Sequence, residues 1–181
     1  VEADAEAAAV ARRRLDDVVE LDLSLHRWTD VFEGQHFDVI VAADVLEHLP
    51  DPAAALQAAT SLLSPTGVVI VSIPNIRHVS ALASVALKGR FPRRDRGIFD
   101  STHLRWFTWR DVLDLHSAAG LETDEWTTNV RIVDRPGAPI NDRAERVLIG
   151  IERHLGIDNQ VLVLRQVNNG IGTRTTTIFT S

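Results

Sequence analysis

The chain has 181 residues and a mass of 20.0 kDa, with 45% apolar and 24% charged residues, which fits one globular domain. A net charge of −6 and a pI near 5.6 argue against a surface built to coat nucleic acid. Cysteine and tyrosine are absent. That excludes disulfides, thiolate nucleophiles, Cys-ligated metal sites and phenolic acids, and Lys88 is the single Schiff-base candidate.

Methionine is also absent and the chain starts at Val1 in an acidic segment that resembles no signal sequence, so a fragment lacking its natural N-terminus is expected. No apolar run approaches the roughly 18 residues of a membrane span, and a cytoplasmic location is expected.

Asp4 is placed to cap a helix over residues 5–14, with Glu6 at its start and three arginines at its end complementing the helix dipole. Val18-Val19-Glu20-Leu21 reads as a short strand ending at Asp22. Residues 24–36 are polar and irregular, with Trp28 and Phe32 as core anchors. The run Phe37-Asp38-Val39-Ile40-Val41-Ala42-Ala43 predicts a strand buried on both faces. Asp51-Pro52 opens a helix with Leu56, Ala59, Leu62 and Leu63 on its apolar stripe. Ser64-Pro65-Thr66-Gly67 predicts a turn, and residues 68–73 a second two-face-buried strand stopped by Pro74.

Residues 76–88 read as helix and residues 89–107 as a long irregular segment rich in arginine and aromatics. Thr108 with Asp111 forms a capping box for a helix to Ala119, closed by Gly120. Residues 121–127 predict a strand, 134–142 a loop, 143–155 a helix and 160–166 a strand. The Thr-rich tail, 168–181, is expected to be flexible or an added edge strand. Strands alternating with helices define an α/β fold with a mainly parallel sheet, as one domain without a linker.

In an open α/β sheet, ligands bind at the carboxyl ends of the strands. Acids stand at three such ends: Glu2, Asp22 and Asp44. Such a rim can accept hydroxyl and amino hydrogens from a nucleoside, while each acid taken singly can also be a helix cap.

The stretch FDVIVAADVLEHLPDPAAALQAATSLLSPTGVVIVSIPN resembles the middle of class I S-adenosylmethionine-dependent methyltransferases. RGIFDSTHLRWFTWRDVLDLHSAAGLE is similar to the segment that follows in one subgroup, often found beside sugar- and cell-surface-modifying enzymes. The resemblance covers roughly residues 1–130. It implies a Rossmann-like, seven-stranded sheet, mostly parallel with an antiparallel last strand. It also implies a first strand and glycine-rich turn, which are expected to be missing from this chain.

S-adenosyl-L-methionine is the implied cofactor. By the family pattern Glu2 grips the ribose hydroxyls, Asp22 and Leu23 flank the adenine, and Ala43, Asp44 and Val45 line the cofactor near its sulfonium. Methyl transfer to oxygen also asks for a base, and His103 and His48 are the candidates, each with a structural role as the alternative.

Between residues 88 and 110, Lys88, Arg90, Arg93, Arg94, Arg96, Arg105 and Arg110 stand against only Asp95 and Asp100. Five aromatics are interleaved with them. This segment is expected to be a lid and acceptor site for an anionic small molecule, with Arg93, Arg94, Arg105 and Trp106 as binding residues. A solvated basic loop is the competing reading.

The rival functions are a non-catalytic methyltransferase-like binding domain and a nicotinamide-dependent sugar oxidoreductase or epimerase. The short-chain form of the latter is disfavoured by the missing tyrosine. No metal site is expected, because in Asp44-x-x-Glu47-His48 an Asp stands where the inverted zinc motif needs a His.

Overall fold

The computed structural model describes residues 1–128 and 160–166. Helix α1, Ala5–Ala11, starts where Asp4 accepts the Ala7 amide at 2.8 Å. It stops one turn earlier than the sequence predicts: Arg12 closes the helix and turns its guanidinium to Glu20 at 3.0 Å instead of serving the dipole. The expected strand at 18–21 is reduced to a single parallel bridge between Glu20 and Glu2, with Leu21 donating to the Glu2 carbonyl. A one-turn helix α2, Trp28–Val31, interrupts the irregular stretch. Trp28 packs on the core and Phe32 meets Phe37 edge-on at 5.6 Å.

Strand β1 is Phe37–Ala43, helix α3 is Pro52–Ser61 and strand β2 is Leu63–Ile73. Asp51 caps α3 through the Ala54 amide. The expected turn at 64–67 is instead part of β2, absorbed as an irregularity in its parallel pairing with β1: Phe37 faces Leu63, and Val39 already faces Val68. Gly67 is required there, since a Cβ would stand 2.8 Å from the Phe37 carbonyl oxygen.

β2 is buried on both faces as predicted, but β1 is not. Ile40 and Ala42 face the core, while Val39 and Val41 are 49% and 53% exposed. Their neighbours on β2, Val68 and Ile70, are covered, so the cover of that face stops short of β1.

Helix α4 is Val79–Lys88 and α5 is Trp109–Ala118, the latter with the predicted Thr108–Asp111 capping box and Gly120 at φ 72° after its end. Strand β3, Leu121–Thr128, and strand β4, Gln160–Gln166, complete a sheet of order β1-β2-β4-β3. β4 runs antiparallel to both neighbours, so the other three strands share one direction. The core lies between this sheet and α3 and α5, built on Leu46, Leu56, Val69, Val71, Val112 and Leu115. The expected loop at 134–142, helix at 143–155 and tail at 168–181 fall outside the described residues.

Candidate active site

β1 and β2 are parallel, so their carboxyl ends open side by side. At the β1 tip the chain makes a sharp turn through Asp44, whose φ of 51° lies in the left-handed region. Such a conformation costs a non-glycine residue about 1 kcal/mol or more, and Asp is among the residues that tolerate it. Two bonds to β2 hold it: the Asp44 amide donates to the Ser72 carbonyl at 3.0 Å, and the Ser72 hydroxyl donates to Asp44 Oδ1 at 3.0 Å. The turn feeds a 3-10 segment, Leu46–His48, before Asp51 caps α3.

This segment anchors a distant one. The Glu47 carbonyl accepts the amides of Leu104 and Arg105, at 2.9 and 3.1 Å. His103 and Phe107 are thereby drawn into the interior beside the β1 tip. The two base candidates, 55 positions apart in sequence, meet edge-on with ring centroids 4.7 Å apart.

Hydrogen bonding assigns the His48 tautomer. Thr102 Oγ1 donates its one proton to Asp100 Oδ1 at 2.6 Å. The Thr102 amide donates to the same oxygen at 2.8 Å. Those two bonds hold the Asp100 carboxyl below its usual range, so it is ionised. Thr102 Oγ1 can then only accept from His48 Nδ1, 3.1 Å away, which places a proton on Nδ1, so that in the neutral ring the lone pair falls on Nε2. Asp100, Thr102 and His48 form a relay that sequence reading missed, although DSTH inside the quoted motif carries two of its members.

Glu47 was also not singled out as a site residue. Its side chain is 1% exposed and neither carboxylate oxygen accepts a hydrogen bond. His103 Nε2 lies 3.9 Å from Oε1, too far for one. Burial first, against the pull of the residue's own backbone amide, and then the Asp44 and Asp100 charges push the Glu47 carboxyl up to about 8. Burial, reinforced by His48, pushes the His103 imidazole down, against Asp100 and a backbone hydrogen bond at Ile98.

The nucleoside rim is different. The Glu2–Glu20 bridge sets Glu2 beside Leu21, so Glu2 and Asp22 share one edge. Glu2 Oε1 accepts the Asp4 amide, and Asp22 Oδ1 accepts both the amide and hydroxyl of Ser24, which holds Asp22 ionised. Glu2 Oε2 and Asp22 Oδ2 make no hydrogen bond among the described residues. That pair of acceptors fits ribose hydroxyls and a nucleobase amine. Leu23 and Val45 both pack on the main core, while Ala43 and Asp44 are exposed at the strand end.

In the 88–110 segment every Lys and Arg side chain is exposed. Arg93 donates to the Ser101 carbonyl at 3.1 Å and Arg105 to the Pro50 carbonyl at 2.7 Å. Arg94 lies over the Phe99 ring at 5.3 Å, and Phe91 links Phe99 to Trp106 through edge-on contacts of 5.2 Å each. Ile98 and Phe99 bury against Ala81 of α4, which fixes the segment to the body.

A family model described as a methyltransferase domain matches residues 3–125, and the chain belongs to that family. It is 27% identical over 130 residues to a ubiquinone biosynthesis O-methyltransferase of Xylella fastidiosa (strain 9a5c), covering 67% of this chain and 53% of the relative. A protein of the same name from Neisseria meningitidis serogroup C (strain 053442) is 35% identical over 63 residues, 34% of this chain and 26% of the relative. The chain thus spans about half the length, or less, of these curated relatives. Among solved structures, a possible histamine N-methyltransferase of Thermotoga maritima superposes with a TM-score of 0.59 at 17% identity. That match covers 92% of this chain and 71% of the other. It establishes the α/β methyltransferase-like fold. No helix among the described residues is long and apolar enough to cross a membrane.

Proposed function

We propose that the protein is an S-adenosylmethionine-dependent O-methyltransferase acting on a small, sugar-like or otherwise anionic acceptor. The observation that carries this reading is the Asp100–Thr102–His48 relay at the carboxyl end of β1, in a chain of the methyltransferase-domain family. The relatives' names, as O-methyltransferases, support oxygen as the accepting atom.

S-adenosylmethionine, when bound, supplies a methyl group already activated on a sulfonium, so the protein's work is alignment, dryness and proton removal. Glu2 and Asp22 accept from its ribose and adenine with their uncommitted oxygens, and Leu23, Ala43, Asp44 and Val45 line it. His48 Nε2 takes the acceptor hydroxyl proton. The resulting imidazolium is stabilised by Asp100 through Thr102, and relays of this kind contribute roughly 10²–10⁴ to rate. His103 is the second base candidate, with its Nε2 on the Glu47 side. Arg93, Arg94, Arg105 and Trp106 cover and hold an anionic acceptor, guanidinium forks meeting carboxylate or phosphate. The edge of β1 that is unpaired among the described residues, with Val39 and Val41 half-exposed, supports pairing with a further strand that carries a glycine-rich turn for the cofactor's methionine portion.

The test is calorimetric titration of the protein, at its gene-encoded length, with S-adenosylmethionine and S-adenosylhomocysteine, followed by label transfer to a panel of nucleotide-linked sugars and dihydroxylated aromatic acids. Binding and transfer to the sugars support the reading in full. Transfer only to the aromatic acids corrects the acceptor. Binding without any transfer moves the protein to a non-catalytic binding domain. Binding of NAD in place of either sulfur nucleoside overturns the proposal.

A further inference from the structure

We infer that Glu47, His48 and His103 form a binding site for one divalent transition ion of the zinc or manganese type. The three side chains offer one carboxylate oxygen and two imidazole nitrogens within 4.8 Å of one another. Two ligand atoms about 2.0–2.2 Å from a shared ion in tetrahedral arrangement stand roughly 3.3–3.6 Å apart, so the 3.9 Å between Glu47 Oε1 and His103 Nε2 needs only a small inward shift.

The second, independent observation is the Glu47 carboxylate itself. It is almost wholly buried and neither oxygen has a hydrogen-bond partner. A buried polar group without a partner costs about 1–3 kcal/mol, more when charged, and native structures seldom leave one without a reason. A cation is such a reason.

The ring nitrogens are prepared for it. His48 Nδ1 donates to Thr102, which is tied to Asp100, so its Nε2 carries the lone pair. His103 turns Nε2 toward the Glu47 carboxylate at 3.9 Å. Outer hydrogen bonds that fix tautomer and ring direction are what ligating histidines ordinarily have. Asp44 and Asp100 add negative charge nearby. Two nitrogens and one oxygen favour zinc, iron or manganese over magnesium and calcium, which prefer oxygen throughout. Three ligands leave coordination positions open to a further oxygen. An ion held here would take both imidazole lone pairs, so the base role proposed for His48 belongs to the metal-free protein.

The inverted zinc motif failed in sequence because Asp44 replaces its first histidine. The fold brings in His103 instead.

The experiment is uptake of Zn²⁺, and separately Mn²⁺, by protein stripped with chelator, without cofactor or acceptor. Failure here therefore leaves the methyl-transfer reading standing, and the converse holds. One ion per chain is expected by elemental analysis after dialysis. Glu47→Gln, His48→Gln and His103→Gln should each weaken binding at least about tenfold, while His36→Ala, on an exposed surface histidine, should not. X-ray absorption of the zinc-loaded wild-type protein should show two imidazoles, a readout that survives if a variant fails to fold. No retained ion, affinity lost in His36→Ala but kept in the three cluster variants, or a zinc spectrum without imidazole overturns the site.

Discussion

Two ends of this molecule use the same residue type in opposite ways. At the rim, Glu2 and Asp22 sit near solvent, each with one oxygen bonded by its own neighbours, and Asp22 is held ionised. At the β1 tip, Glu47 is carried inward on a 3-10 turn, its carboxylate oxygens without a hydrogen-bond partner, and its carboxyl is pushed up to about 8. The rim is a charged acceptor for another molecule's hydrogens. The tip is a low-dielectric cluster in which a proton or a cation must reside. Sequence alone puts an acid at both places; which kind of acid it becomes depends on what packs over it.

The largest effect expected from this contrast is catalytic. With a methyl acceptor in hand, His48→Gln should lower kcat by about 10²–10⁴ while leaving nucleoside affinity near wild type. Asp22→Asn should do the reverse, raising the S-adenosylmethionine Kd with little change in kcat. Steady-state kinetics with calorimetry separates the two, and matching effects from both variants would erase the distinction between rim and tip.

The next effect sharpens the contrast with a third buried group, remote in function. His116 is buried with Nε2 unpartnered, and burial holds its imidazole down to about 4, against 6.5 in an exposed chain. Between those values the unfolded chain binds a proton that the folded chain refuses, so stability is full above about pH 6.5 and falls as pH drops toward 4. The loss approaches about 3 kcal/mol at the lower limit. Denaturant midpoints at pH 7 and pH 4.5 should therefore differ less in His116→Gln than in wild type.

A smaller effect bears on Glu47 directly. In chelator-treated protein at pH 7, Glu47→Leu should raise stability by about 1–3 kcal/mol, because an unpaired buried carboxyl is replaced by a side chain the core accepts. The same experiment on Asp22→Ala should lower stability only slightly, because that carboxylate is exposed. A fall in Glu47→Leu would mean that the carboxyl is satisfied in the apo protein after all. The smallest expected change is local: Asp51→Ala should cost about 1 kcal/mol through the lost cap of α3, with nucleoside affinity unaffected.

Much of the architecture is written in short-range chemistry. The Thr108–Asp111 box, Asp51-Pro52, the β1 run 37–43 and the 160–166 strand are set by capping, periodicity and β-branched content, which act within a few residues. The motifs likewise marked the family and the strand-end acids. What those signals could not carry was anything settled by a neighbour distant in the chain. Ser64-Pro65-Thr66-Gly67 has turn chemistry, yet pairing with β1 draws it into β2. The arginines after Ala11 suit a helix end, yet the Glu20 carboxylate offers Arg12 a better partner across the Glu2 bridge.

The same division runs through the site. Composition and spacing by themselves determined that His48 follows a strand end and that His103 sits in a basic, aromatic segment. Only the tertiary structure decided that the Glu47 carbonyl ties down residues 104 and 105, brings the two imidazoles within 4.7 Å and closes over a carboxylate. The physical reason is that tautomer, burial and pKa belong to the space between segments. That space exists only once the sheet has set β1 beside β2 and the loop has docked on its tip.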